Sequence, residues 1–167
     1  MMRPVWLLPI LLAVSATAWA DTLMGRVVAI VSGDTIRVAD ARSQVEFPVR
    51  LAGIEAPGRH QPNGGKSQQV LGALLFGRDV QVEGAFGDGR FHGRVLVAAP
   101  GCHTAQCPRE LDAGLEQVAA GMAWWDPRDG TLSTDRRGRY EQAEFQAKIH
   151  RLGLWSGRET LPPWGRK

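Results

Sequence analysis

Four charged side chains stand at the ends of apolar segments instead of in surface runs. Asp34 follows the turn Ser32-Gly33, and Arg50 sits inside the apolar stretch Phe47-Pro48-Val49-Arg50-Leu51-Ala52. Glu55 comes next, in Gly53-Ile54-Glu55-Ala56-Pro57, and Arg94 closes Arg90-Phe91-His92-Gly93-Arg94. Two carboxylates and two guanidiniums are what metal-assisted phosphodiester chemistry requires. A hard divalent cation takes oxygen ligands and polarises a phosphoryl oxygen, while arginines stabilise charge growing on the phosphoryl oxygens and the leaving group. Each residue alone has a simpler origin. An Asp after Gly is a common turn former, a strand Arg lies on the solvent face, and Gly-Arg before a strand is a common bend. Spacing alone leaves both readings open.

The elements that must position these groups read as short strands first. Leu23 to Ile30 is apolar and β-branched, Thr35 to Val38 alternates, and Val45 to Ala52 forms a third extended run. Asp79 to Glu83 has a clean period of two, and Arg94 to Ala98 resembles it. Five strands divided by Gly-containing turns predict a small barrel or sandwich. Three helices accompany them. Ser67 to Phe76 carries Val70, Leu71, Leu74 and Leu75 at helical spacing and is closed by Gly77. Leu111 to Met122 sets Leu111, Leu115, Val118 and Met122 in step, and Asp135 to Leu152 aligns Phe145, Ile149 and Leu152 before the stop at Gly153. The order is β-β-β-α-β-β-α-α, a mainly β chain with helices (α+β). The tail Leu161-Pro162-Pro163-Trp164 cannot continue as regular helix.

Residues 1–20 read as a secretory signal: Arg3, an apolar run from Val5 to Val14, and the small-x-small pattern Ala18-Trp19-Ala20 before Asp21. The run is too short to span a bilayer, which takes roughly 20 residues, so no stable membrane anchor is expected after cleavage. The expected organisation is a leader over 1–20, one domain over 21–157 and a Pro/Trp-containing tail over 158–167. The chain is expected in the periplasm or medium, as a monomer. Export makes Cys102 and Cys107 readable as a loop-closing disulfide worth roughly 2 kcal/mol. A metal site with His103 is the alternative, but no fourth ligand stands in range. Of 167 residues, 44% are hydrophobic and 22% charged, which excludes a wholly disordered chain or a multi-span membrane protein. A net charge of +3 is too weak to bind nucleic acid by bulk attraction, so any such role must come from particular arginines.

The order Ser32-Gly33-Asp34-Thr35, then Arg50-Leu51-Ala52-Gly53-Ile54-Glu55-Ala56-Pro57, then His92-Gly93-Arg94 resembles the staphylococcal nuclease-like (thermonuclease) family. The likeness continues through Leu115 to Val118 and Gly121 to Trp124 to Gly153-Leu154-Trp155, so it spans about Gly25 to Trp155. It implies a five-stranded OB-fold barrel with three packed helices. It also implies calcium-dependent endonuclease activity on single-stranded or locally open DNA and on RNA, with magnesium or manganese as other candidate metals. Carried over by position, Asp34 and Glu55 match the family's two metal carboxylates, Ala56 supplies a backbone carbonyl, and Arg50 and Arg94 match the two phosphate-binding arginines.

The departures matter as much. Glu55 stands where an aspartate is usual, and Ser32 where many members carry an acid. Gly58 stands where the family has a glutamate thought to position or deprotonate the attacking water. His60, two residues on, could act as a surrogate base, or be an exposed loop histidine; Glu55 could double as ligand and base. His92 occupies the place of a nucleotide-contacting tyrosine, where it could stack on a base, meet a phosphate or simply fill a turn. Trp124 and Trp125 could offer a stacking platform or pack in the core. The leading expectation is an exported nuclease slowed by Gly58; the alternative is a nuclease-like fold that binds nucleic acid without cutting it. A barrel recruited for an oligosaccharide or protein ligand would not need both arginines and both carboxylates.

Overall fold

Alternation writes the barrel. In β1 (Asp21–Ile30) Leu23 and Val27 turn inward while Met24, Arg26 and Val28 face out, and the same period buries Ile36 and Val38 of β2 (Thr35–Asp40). The computed structural model describes residues 21–102, 104, 106–157 and 161–165. The expected leader at 1–20, His103 and part of the tail lie outside these described residues. Strands β3 (Glu46–Leu51), β5 (Asp79–Gly87) and β6 (Arg90–Ala98) complete an antiparallel order β3-β2-β1-β5-β6. A parallel pairing of β3 with β6, Val49 opposite Phe91, Arg50 opposite His92 and Leu51 opposite Gly93, closes the cylinder. Closure leaves these five strands no free lateral edge. The expected five-stranded OB-type barrel with three helices is what the chain forms.

β5 and β6 run further than the sequence predicts. Their hairpin turns at Asp88 and Gly89, both with positive φ (52° and 75°), so the strands extend to Gly87 and back from Arg90. The tip is held by aromatic rings: Phe91 meets Phe47 edge-on at 5.6 Å and Phe86 at 5.0 Å between centroids. His92-Gly93-Arg94 therefore lies within a strand, not in a bend before one. Gly93 stands there because a Cβ would collide with the carbonyl of Glu83 on β5.

Helix α1 (Gly64–Leu75) sends Leu71 and Leu75 into the barrel core. Arg109–Asp112 forms a further strand, β7, on the edge of β6 beyond the closing pair, so helix α2 runs only over Ala113–Ala119. Leu111 thus belongs to a strand despite its helical spacing to Leu115. Asp112 ends that strand and caps α2, its side chain accepting from the N–H of Gly114 (3.2 Å) and Leu115 (3.4 Å). Helix α3 (Thr134–Ile149) buries Tyr140 and Ala147, seven residues apart and so on one face. The expected apolar side is the wrong one: Phe145, Ile149 and Leu152 are exposed. Helix α3 packs against α2 and the segment at Trp124–Trp125, with Ala143 against the core and Ala147 buried, and Phe145 falls on the opposite side.

Two two-residue strands, β4 (Ile54–Glu55) and β8 (Trp124–Trp125), pair antiparallel, Ile54 opposite Trp125 and Glu55 opposite Trp124. This small ladder fixes the segment that follows Arg50. In the tail, Pro163–Gly165 makes one 3-10 turn, with the Trp164 ring centroid 4.2 Å from the Arg128 guanidinium carbon. The Cα atoms of Cys102 and Cys107 lie 5.9 Å apart, a span a disulfide can bridge. Among the described residues no helix is long and apolar enough to cross a membrane.

Candidate active site

The turn between β1 and β2 is docked, not free. Gly33 packs so closely on Ser67 of α1 that a Cβ there would strike the Ser67 hydroxyl. Its carbonyl accepts from Gln117 Nε2 of α2 at 2.7 Å, and Ser67 Oγ donates in turn to the Met122 carbonyl at 2.7 Å. The Asp34 main chain is tied to β3, its carbonyl accepting from Leu51 N at 2.9 Å. Two helices and a strand thereby hold one carboxylate in place.

That carboxylate is buried, 4% exposed, and hydrogen-bonded through both oxygens. Asp34 Oδ1 accepts from Ser32 Oγ at 2.7 Å and Thr35 Oγ1 at 2.9 Å, and Oδ2 accepts from the Ala56 N–H at 2.8 Å. Ser32 therefore serves Asp34 directly, and Ala56 meets the site through its N–H. Arg50 spans both acids: Nη2 donates to Glu55 Oε2 at 2.5 Å and Nη1 stands 3.6 Å from Asp34 Oδ2. Partial burial pushes the Glu55 carboxyl up; Arg50 opposes this, and the charges of Asp34 and Asp126 reinforce it.

Arg94 lies on the same outward row of β6 as His92, which is the register neighbour of Arg50. Its Nη2 pairs with Glu83 Oε2 of β5 at 3.0 Å, and its Nε is 3.9 Å from Asp112 Oδ2. Asp112 also accepts the Tyr140 hydroxyl at 2.9 Å, so one acid joins the α2 cap, α3 and Arg94. Burial pushes the Asp112 carboxyl up against those hydrogen bonds. Asp34, Arg50, Glu55 and Ala56 thus form one contact cluster, while Arg94 flanks it on the neighbouring strand in its own acid pair.

The remaining candidates separate. Trp124 is buried at 2% exposure and is core, unable to stack on a substrate; Trp125 is half-buried, its backbone N–H donating to Glu144 Oε1 at 3.2 Å. His60 is exposed on the loop after Gly58. His92 is neither turn filler nor a free ring: its Nε2 lies 2.8 Å from Asp129 Oδ2.

Asp129 is the residue sequence reasoning missed, because its partner Gly53 is far away in the chain. Its Oδ2 also accepts from Gly53 N at 2.6 Å, and its Oδ1 from Thr131 N and Oγ1 at 2.9 and 2.6 Å. Burial alone would raise this carboxyl, but the bonds from His92, Thr131 and Gly53 outweigh it and hold it well below the usual carboxylate range. A lowered acid contributes stability above its unfolded value, about 3.9, and loses it as pH falls further. The expected result is that Asp129→Asn lowers the unfolding temperature at pH 7 and flattens its decline on acidification. Thermal unfolding of both proteins across the acid range checks this; parallel curves would contradict it.

A closed OB-type barrel carrying a carboxylate–arginine cluster at the β1–β2 turn and the end of β3 places the chain in a class, and it belongs to the staphylococcal nuclease family. The family model described as Staphylococcal nuclease homologue matches residues 48–157, which include Arg50, Glu55 and Arg94. The chain is 36% identical to the protein ParB of Escherichia coli over 155 residues, covering 92% of this chain and 83% of that one. It is 36% identical to the micrococcal nuclease of Shigella flexneri over 157 residues, 93% of this chain and 86% of the other. An uncharacterized endonuclease of Escherichia coli O157:H7 is 33% identical over 142 residues, with 84% and 82% covered.

The donor set suits a hard dication. Among the described residues no cluster of three or more His, Cys, Asp or Glu side chains converges. Asp34 and Glu55 offer two carboxylates gathered by one arginine, an oxygen donor set of the kind that hard dications take.

Proposed function

We propose that the chain is an exported, metal-dependent endonuclease that hydrolyses phosphodiester bonds of single-stranded or locally open DNA and of RNA. The enzyme class follows from the family; the observation that carries the site assignment is Arg50 bridging Asp34 and Glu55 beside the β4–β8 ladder. Asp34 and Glu55 would hold the cation, with the Ala56 backbone carbonyl as a third oxygen. When bound, the metal polarises a phosphoryl oxygen.

The chain's own residues do the rest. A phosphate entering between the arginines takes Arg50 onto a phosphoryl oxygen, a guanidinium already poised between two acids. Arg94 exchanges its Glu83 partner for the oxygen that leaves, stabilising its developing charge. Gly58 has no side chain to orient or deprotonate water, and its loop is closed on itself, Gly58 N donating to Gln61 Oε1 at 2.9 Å. Losing a general base costs about 10²–10⁴-fold against accelerations of 10⁶ or more, so slow cleavage survives. In an exported, monomeric chain Cys102 and Cys107 close their loop as a disulfide.

Cleavage of labelled single-stranded DNA, duplex DNA and RNA, each in calcium, magnesium or manganese, tests the finer terms. The expected result is faster cutting of single strands than of duplex, best in calcium and abolished by chelator. Binding without cleavage in every metal would leave a nucleic-acid-binding fold in its place.

A further inference from the structure

A second arginine cluster lies away from the acids of the active site. Arg26, Arg78 and Arg109 line a cleft of about 250 Å³ at the far end of β6, beside Ala98. Ala98 lies four residue steps along β6 from Arg94, roughly 13 Å at the usual rise. Only Arg26 is neutralised, by Asp79 at 3.1 Å. Arg78 is anchored by main-chain carbonyls, Nη2 donating to Ala98 O at 2.7 Å and Nη1 to Leu74 O at 3.3 Å, which holds its charge in place without cancelling it. Arg109 is half-buried and has no acidic partner among the described residues. Two uncompensated guanidiniums, one of them fixed, face one concavity.

The cleft shares a border with a second one. Arg26, Asp79 and Arg109 also border a groove of about 460 Å³ whose floor is Met24 and Val28 of β1 with Ala39 and Ala41. Met24 and Val28 face out at 36% and 37% exposure. Charge at one end and an apolar floor beside it match a polynucleotide strand, whose phosphates seek arginine and whose bases seek apolar surface.

We infer that the Arg78–Arg109 cleft is a phosphate-binding exosite, gripping the backbone of a single-stranded substrate several nucleotides from the bond to be cut. The inference rests on the nuclease reading, but it concerns surface that the reading does not use. The site gives the enzyme affinity for long strands without altering the chemistry on short ones.

Binding measured by fluorescence anisotropy in chelator, so that nothing is cut, tests it with a dinucleotide and a long oligothymidylate. Arg109→Glu is expected to weaken the long strand about tenfold and to reduce the salt dependence by about one phosphate contact, leaving the dinucleotide unchanged. Arg109→Gln, which removes charge without adding an acid, should give an intermediate loss at unaltered unfolding temperature. Wild-type binding of the long strand with Arg109→Glu indistinguishable from it overturns this inference alone. A wild-type protein that binds neither oligonucleotide overturns the nuclease reading and the exosite together. Inorganic phosphate separates the remaining source: protection of wild type but not of Arg109→Glu against unfolding, with long-strand affinity unchanged, would make the cleft a free-phosphate site and overturn the polynucleotide assignment.

Discussion

Replacing Gly58 by glutamate is expected to raise the rate of single-strand cleavage by about 10²-fold, the lower end of what a positioned general base contributes. The backbone can accept the side chain: a Cβ at Gly58 would meet only the Gln61 side chain, at 3.7 Å, an ordinary contact. Gly58 is exposed, and no positive φ reserves the position for glycine. Its neighbour Pro57 follows Ala56, whose N–H is bonded to Asp34, so a carboxylate at position 58 starts close to the cluster. The gain should fall in kcat, because a base acts on the attacking water and not on substrate affinity. A rate unchanged or lowered by Gly58→Glu would mean that another group already handles the water.

A large loss is expected from Arg50→Ala, about 10²–10³-fold in kcat, the usual consequence of deleting one preorganised donor to a developing oxyanion. Arg50 is also the only cation in contact with both Asp34 and Glu55 among the described residues, so its removal leaves two acids facing one another. Lysine should not rescue it fully, since a point charge cannot fork to both carboxylates. Steady-state kinetics, with unfolding temperatures as a control for fold, check the split between kcat and KM. Retention of the rate within about tenfold would remove Arg50 from the chemistry.

Much of the barrel was legible because half-buried strands advertise themselves: Leu23 and Val27, Ile36 and Val38, Val80 and Val82 all keep a period of two. The grouping of Asp34, Arg50 and Glu55 was legible through the family resemblance alone, since spacing left a turn-forming Asp and a solvent-facing Arg as open readings. What failed was physics invisible at short range. Leu111 has helical spacing to Leu115, yet β6 offers it a ladder, and Asp112 marks the real start of α2 by capping it. On α3, Tyr140, Ala143 and Ala147 make the packed face, so Phe145 and Ile149 point outward. His92 was a residue of several readings until Asp129, distant in sequence, supplied its partner. Trp124 looked available for stacking but is consumed by the pairing that fixes Glu55.

The central claim is that the cluster of Asp34, Arg50 and Glu55, flanked by Arg94, cuts phosphodiester bonds. Cleavage of single-stranded DNA under excess enzyme, by wild type and by Asp34→Asn purified in parallel, tests it most directly. The account predicts slow, chelator-sensitive cutting by wild type and none above background by Asp34→Asn. Equal cutting by both proteins, or no cutting by wild type that still binds the strand, would contradict it.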